Sequence, residues 1–268
     1  MSVRGWFFAG VVAAGLLVGC RGGFAQGQAW EQPGTKAGQE IAGPDGGKLV
    51  WVPAGEFLMG TAPGQGKEDT HPAHRVRISQ GFWLGQCTVT NAQYRRYCQA
   101  TGVTFPAEST EGDDHPVVYV IWSEAQAYCQ HYGLSLPTEA QWEWAARGAE
   151  GRLYPWGNEW DEQKCCNYAN HGPQGKTYPV GSFPQGAAWC GALDLAGNVW
   201  QWCRDWYAAD YYARAPGTDP PGPDAGDQRV ERGGSWYGNA EGCRSTFRCP
   251  FDPTYRVSNL GFRCARTP

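Results

Sequence analysis

The chain has 268 residues, of which 41% are hydrophobic and 18% are charged, so it can bury a sizeable core as one large domain or two small ones. Its net charge of −4 argues against a nucleic-acid partner, which would require a basic face. Eleven cysteines predict an oxidising compartment, and 38 glycines with 14 tryptophans predict a loop-rich interior filled by aromatic rings.

The first twenty residues have the pattern of an export signal. Arg4 precedes an apolar stretch over residues 6–18 that is too short to span a bilayer comfortably. The stretch ends in Leu17-Val18-Gly19-Cys20, which resembles a bacterial lipobox. We therefore predict a signal peptide over 1–20 and a lipid anchor on Cys20; by the same resemblance, Arg21 favours the outer membrane, facing the periplasm. A cleaved signal with a chance cysteine is the alternative.

The rest of the chain divides into a tether and one domain. Residues 21–46 are rich in glycine and glutamine and poor in apolar residues, which predicts a flexible tether. The domain follows over 47–268, without a fixed-period repeat or a break that indicates a second domain. It begins with strands, since Pro53-Ala54-Gly55 separates two apolar runs.

Three helices are predicted by the same pair of signals. Each begins with a capping box, in which a hydroxyl accepts from a backbone N–H and a glutamine three residues later reaches back. Each is followed by a glycine that ends it. The segments are 90–101, 123–132 and 138–147, opened by Thr90, Ser123 and Thr138. Beyond residue 148 we expect only short strands.

Glu139 and Glu143 lie one turn apart on the third predicted helix. Two carboxylates at this spacing can act as a general acid and base. We prefer the simpler interpretation of Glu139, a favourable charge in the first helical turn.

A series of ordered motifs resembles the formylglycine-generating enzyme family, also called sulfatase-modifying factor. The motifs include Tyr154-Pro155-Trp156-Gly157-Asn158, Asp194-Leu195-Ala196-Gly197-Asn198-Val199-Trp200-Gln201-Trp202, Arg232-Gly233-Gly234-Ser235-Trp236 and Gly261-Phe262-Arg263. The resemblance covers residue 47 to the end. It implies an α+β fold that is irregular, has little regular secondary structure and is related to C-type lectins.

Enzymes of this family oxidise a substrate cysteine to formylglycine, using oxygen and copper held by two cysteines, because soft sulfur selects monovalent copper. By resemblance, the two copper positions are Gly238 and Cys243, so one thiolate is missing. Ser235, Cys243 and Trp200 would form the catalytic site.

The resemblance also bears on the structural cysteines. It implies a disulfide between Cys129 and Cys264. A second family disulfide would join Cys249 to position 146, where this chain has Ala146. Cys243 and Cys249 therefore have two interpretations: a surrogate copper pair or redox dithiol, or cysteines bonded into structural disulfides.

Six further cysteines match no family position that we can use. They are Cys87, Cys98, Cys165, Cys166, Cys190 and Cys203. Adjacent Cys165 and Cys166 cannot bond each other without strain, so we expect each to reach elsewhere. Spacing alone does not determine the connectivity.

A calcium site is also implied by the resemblance. Its ligands would be the side chain of Asp194, the carbonyls of Gly197 and Val199, and Gln201 in place of a glutamate. Such oxygen donors suit a hard cation. Ordinary hydrogen bonds closing the loop are the alternative.

Two functions remain open on the sequence. One is an extracytoplasmic oxygen-dependent oxidase that modifies a protein or peptide substrate. The other is a lectin-like binding or scaffold lipoprotein of a cell-envelope complex, without catalysis. The incomplete copper pair favours the second, and the intact motif frame favours the first.

Overall fold

The computed structural model describes residues 1–2, 28–171 and 176–268. In this part of the chain there are three α-helices: α1 Asn91–Thr101, α2 Trp122–His131 and α3 Glu139–Arg147. The strands are β1 Glu40–Ala42, β2 Lys48–Val52, β3 Gly55–Met59, β4 His74–Ile78, β5 Phe82–Gly85, β6 Trp200–Trp206, β7 Arg229–Arg232, β8 Arg248–Phe251, β9 Leu260–Gly261 and β10 Ala265–Arg266. The expected irregular α+β architecture is confirmed.

The strands form three small sheets. Their orders are β1-β2-β5-β10, β3-β4 and β8-β7-β6-β9. In the third sheet β6 pairs antiparallel with β7 and parallel with β9, and β7 pairs antiparallel with β8. This third sheet brings three separate parts of the sequence together, and the site is built at the end of β7, one of its two central strands.

Two of the three predicted helix starts are confirmed. Thr90 and Thr138 cap α1 and α3 with both hydrogen bonds of the capping box. The second helix differs, because it begins two residues earlier than predicted: Ile121 is its N-cap residue, and Glu124 accepts from the Ile121 N–H. The predicted box at Ser123 is therefore wrong in register by two residues.

The described part of the predicted tether, residues 28–46, packs on the domain. Strand β1 pairs with β2 in an antiparallel register. Trp30 packs beside Trp83, whose indole N–H donates to the Gln32 carbonyl at 2.9 Å. Asp45 is buried and accepts from the Tyr128 hydroxyl at 3.1 Å. The domain therefore begins before residue 47, because these few anchors are enough to hold a glycine-rich segment.

The core is filled by aromatic rings, as the composition predicts. Trp142 and Trp202 are fully buried, and each indole N–H has an acceptor, Gln201 Oε1 at 2.8 Å and the Val120 carbonyl at 3.1 Å. In the described ranges, no helix has the length and apolar character needed to cross a membrane. Residues 3–20 of the predicted signal peptide, including Cys20, lie outside the described residues.

Candidate functional site

A glycine pair after β7 brings the backbone against a cysteine. Gly233 has φ of +99° and Gly234 has φ of +73°, in the left-handed region that favours glycine. A Cβ on Gly234 would lie 3.0 Å from Cys243 Sγ. The close backbone approach expected of this turn is present, and Cys243 is what it approaches.

A cleft of about 400 Å³ opens beside this turn. Its lining includes Tyr168, Trp200, Ser235, Tyr237, Gly238 and Phe247. The two tyrosines are 61% and 65% exposed, and their ring centroids lie 5.7 Å apart. The volume is in the range of ligand pockets, and rings with a polar edge suit a partly polar ligand.

Ser235 and Trp200, two predicted site residues, both line this cleft. Ser235 is buried, and its Oγ accepts from Asn259 Nδ2 and from the Tyr237 N–H, each at 3.3 Å. Among the hydrogen bonds of the described residues, none joins this hydroxyl to a histidine or carboxylate. Within the described residues Ser235 thus has no partner of the kind that activates a nucleophile, and its contacts shape the turn.

Cys243 lies beneath the cleft and is fully buried. A Cβ at Gly238 would lie 3.7 Å from Cys243 Sγ, so the position implied for the second copper thiolate is adjacent but carries no sulfur. A different sulfur lies close instead, because Cys165, Cys243 and Ala196 form one buried cluster. Sequence reasoning did not identify Cys165, because the two cysteines are distant in the chain.

Cys249 has another partner. It faces Glu231 across the β7–β8 pairing, and the two side chains hydrogen-bond. Burial, followed by the neighbouring Glu231 carboxyl, raises the pKa of the Cys249 thiol to about 12. Burial also raises the pKa of Glu231 to about 8. The contacts of Cys249 are with the Pro250 carbonyl and with Glu231, and none joins it to Cys243, so the geometry of the described residues gives no support to a copper site on Cys243 and Cys249.

The loop predicted to bind calcium is closed by hydrogen bonds. The Asp194 carboxylate accepts from the Gly181 N–H at 2.7 Å and from the Cys87 thiol. Gln201 donates through Nε2 to the Asp194 carbonyl at 2.6 Å. Gly197 and Val199 lie on the loop between them, and Gly197 donates its N–H to the Gly233 carbonyl at 2.8 Å.

The cation in this loop is an arginine. Arg263 is fully buried and donates to Gln201 Oε1 at 2.7 Å and to the Asp194 carbonyl at 3.0 Å. It also donates to the carbonyls of Gly85 at 2.8 Å and Leu193 at 2.7 Å. Of the four predicted ligands, the Gln201 side-chain oxygen is thus engaged by a guanidinium and the Asp194 carboxylate by the Gly181 N–H, so both side chains already have protein donors.

The cysteines predicted to form a disulfide, Cys129 and Cys264, are both buried. Their sulfurs lie 3.3 Å apart as thiols. A disulfide bond measures about 2.05 Å, so the two sulfurs are neighbours that need only a small approach to bond. The bond itself stays a prediction.

Behind the glycine turn lies a buried network of ion pairs. Arg232 donates to Glu139 at 3.0 Å and also pairs with Glu143, which is shared with Arg147 at 3.0 Å. Arg248 donates to both Glu139 oxygens at 2.8 Å. Burial opposes ionisation of Glu143, but the two arginines beside it outweigh that and lower its pKa.

Glu139 therefore does more than place a charge in the first turn of α3. It is 2% exposed and accepts from two arginines and from the Tyr212 hydroxyl. All its oxygens are held by donors, which excludes the role of a general acid or base that releases protons to a ligand. The network joins α3 to β7 and β8 and fixes where the glycine turn begins.

No cluster of three or more His, Cys, Asp or Glu side chains suited to a metal ion is present in residues 28–171 and 176–268. The cleft therefore offers shape, aromatic surface and hydrogen bonds rather than an evident metal centre.

Comparison with known families agrees with this frame. A model of the sulfatase-modifying factor enzyme 1-like domain matches residues 36–268. The chain belongs to this family. The formylglycine-generating enzyme of Streptomyces coelicolor is 35% identical over 81% of this chain and 88% of that protein. The inactive C-alpha-formylglycine-generating enzyme 2 of Mus musculus is 30% identical over 81% of this chain and 85% of that protein.

Among solved structures, PvdO from Pseudomonas aeruginosa is 27% identical with a TM-score of 0.77, over 88% of this chain and all of that chain. The resemblance found in the sequence motifs is therefore confirmed. Since the formylglycine-generating enzyme family includes relatives named as active and as inactive, membership does not decide catalysis, and the residues of the site must do so.

Proposed function

We propose that this protein is a non-catalytic member of the formylglycine-generating enzyme family that binds an extended peptide segment of a partner protein in the cleft beside Ser235. Gly238 is the observation that carries the proposal. It stands next to Cys243, where the family's second copper thiolate would be, and it has no side chain. Cys243 packs with Cys165 in a buried cluster instead, and no cysteine is among the described residues that line the cleft.

The lining of the cleft supports a peptide as the ligand. Tyr168 and Tyr237 offer exposed rings, and Trp200 with Phe247 forms a second ring pair at 5.9 Å. Aromatic side chains provide large contact areas with little loss of conformational entropy, and they dominate the energetics of many interfaces. Ser235 and its neighbours supply donors and acceptors for a backbone.

The cell envelope is the proposed place of action. The apolar stretch over residues 6–18 and Cys20 support export and lipid anchoring. Metabolic labelling with a fatty-acid analogue tests this directly: we expect label on the wild-type chain and none on Cys20→Ser. Label-free wild-type protein in the soluble fraction would contradict the anchor without bearing on the cleft.

Peptide binding is tested by selecting ligands from a random peptide library with the full-length protein and measuring affinities by titration calorimetry. We expect Tyr237→Ala to weaken binding about tenfold or more, since a central aromatic contributes 1–2 kcal/mol or more, on the order of a hot-spot residue. Tyr255→Ala is the matched control, because Tyr255 is 61% exposed and lies outside the cleft lining. Equal losses in both variants would contradict a cleft site.

Catalysis is tested separately. The reduced protein is incubated with monovalent copper, oxygen and a cysteine-containing peptide, and oxygen consumption is recorded. We expect the rate of the Cys243→Ser variant to equal that of the wild type. Peptide-dependent oxygen consumption that is lost in Cys243→Ser would overturn the non-catalytic proposal in favour of the oxidase.

A further inference from the structure

Two buried sulfurs meet directly beneath the cleft. Cys165 is 2% exposed and Cys243 is fully buried, and Cys243 is the neighbour that most strongly affects the pKa of the Cys165 thiol. They form one small cluster with Ala196, against which Trp156 and Trp160 pack. Cys129 and Cys264, whose sulfurs lie 3.3 Å apart, are another pair of neighbouring buried thiols.

The two sulfurs belong to opposite walls of the cleft. Cys165 is followed within three residues by Tyr168, and Cys243 closes the loop that carries Tyr237 and Gly238. The walls are already joined by the Tyr168 N–H, which donates to the Gly238 carbonyl at 2.9 Å. A covalent bond between the sulfurs would therefore connect segments that the fold already holds side by side.

Cys166 is placed differently from its neighbour. Its Sγ lies 3.9 Å from the Lys176 carbonyl, and its own carbonyl accepts from the Asn198 N–H at 2.8 Å. Cys165 is held by Asn167, whose Nδ2 donates to the Cys165 carbonyl at 2.9 Å and lies 3.7 Å from its sulfur. Of the two adjacent cysteines, Cys165 is the one directed to Cys243.

We propose that Cys165 and Cys243 form a disulfide that joins the two walls of the cleft. The two thiols lose two protons and two electrons, and a disulfide oxidant such as glutathione disulfide accepts them and becomes two thiols. One protein thiolate attacks the oxidant and releases its first thiol, giving a mixed disulfide. The second protein thiolate then displaces the other thiol and closes the bond.

The surroundings explain when this bond forms. The neighbouring Cys243 thiol, followed by burial, raises the pKa of the Cys165 thiol. Cys165 is therefore a poor nucleophile once the protein is folded. We therefore expect the bond to form while the chain folds in an oxidising compartment. The pairing stands independently of peptide binding, since it depends only on the two sulfurs and is measured by mass.

A disulfide map of the full-length protein tests the proposal. The protein is refolded with reduced and oxidised glutathione, blocked with N-ethylmaleimide and digested with trypsin without reduction. We expect one linked species joining residues 165–176 to residues 233–244. Because the first peptide contains two cysteines, Cys166→Ser must retain the link and Cys165→Ser must abolish it. Cys190→Ser, at another fully buried cysteine, is the matched control and must retain it.

Two outcomes would overturn the proposal: Cys243 recovered with the maleimide label in the refolded wild type, or Cys243 linked to the peptide that contains Cys249. If Cys165→Ser does not fold, the wild-type and Cys166→Ser maps still decide. In thermal unfolding without reductant, we expect Cys165→Ser to melt on the order of 10 °C below Cys190→Ser. A failed peptide titration would leave this map unchanged.

Discussion

Arg232 and Ser235 are only three residues apart and both are buried, yet they face different surroundings. Arg232 is fully buried and paired with Glu139 and Glu143 in the network behind β7. Ser235 lines an open cleft, beside Gly238 and two exposed tyrosines. In the network each charged side chain is held by several hydrogen-bonding partners. In the cleft, few of the contacts that hold the fold together depend on any single side chain.

The contrast explains how the fold persists while the chemistry of its site changes. Removing one member of the network leaves a buried charge without its partner, which is strongly destabilising. Replacing a cysteine by glycine at position 238 leaves no buried charge and no cavity deep in the core. The frame around the turn is thus constrained by stability, and the cleft is free to lose a catalytic group.

The largest effect should come from breaking the network. Glu143→Gln keeps the shape but removes the charge that faces Arg232 and Arg147, and we expect the free energy of unfolding to fall by about 3–5 kcal/mol. Urea titration measures it. Asp210→Asn is the control, because the Arg214–Asp210 pair is 56% and 75% exposed and should matter by about 1 kcal/mol or less. Similar losses in both variants would contradict the comparison.

Two glycines on the same turn should respond unequally. Gly234→Ala forces an alanine into φ of +73° and places its Cβ 2.9 Å from the Gly242 carbonyl, so we expect a loss of about 2–4 kcal/mol. Gly238 lies outside the left-handed region, and the new Cβ of Gly238→Ala would lie 3.0 Å from the Ser235 carbonyl. Because alanine also reduces the conformational freedom of the unfolded chain, the cost of this contact is offset. The unfolding free energy of this variant should stay within about 1 kcal/mol of the wild type. A larger loss of unfolding free energy in Gly238→Ala would show that the backbone beside the cleft is as constrained as the turn after β7.

Stability should fall with rising pH through Glu231, in the middle of β7. Its pKa rises from an ordinary value of 4.5 to about 8 in the folded state, so the folded protein keeps a proton that the unfolded chain loses between these values. The free energy of unfolding that Glu231 contributes is fully present below pH 4.5. It falls by about 1 kcal/mol per pH unit as the pH rises to about 8.

Urea titrations of wild type and Glu231→Gln near pH 5 and pH 8 measure this loss as the difference between their slopes. Glu56→Gln, at an exposed carboxylate, is the control and should follow the wild type. Parallel pH profiles for wild type and Glu231→Gln would show that Glu231 is ionised in the fold.

The smallest effect should come from calcium. Because Arg263 already donates to the Gln201 side-chain oxygen and the Gly181 N–H to the Asp194 carboxylate, adding calcium or a chelator should shift the melting temperature by about 1 °C or less. A stoichiometric, saturable rise in the melting temperature on adding calcium would restore the ion to this loop.

Local signals made most of the elements predictable. The hydroxyls of Thr90 and Thr138 mark the N-cap positions of α1 and α3, and a glycine follows the end of each helix. The same reasoning failed at α2, where Ile121 and Glu124 form the cap, because two possible starts lie two residues apart and packing selects one. It also missed residues 28–46, whose anchors are single side chains in a glycine-rich segment.

The sequence by itself determined the family, the irregular α+β class and the position of the cleft around Ser235, since these depend on short motifs with fixed spacing. Only the tertiary structure decided which groups meet: Cys165 with Cys243, Glu139 with Arg232 and Arg248, and Arg263 with the loop expected to hold calcium. Each of these contacts joins residues far apart in the chain, and their pairing is set by the packing of the sheets rather than by any local pattern.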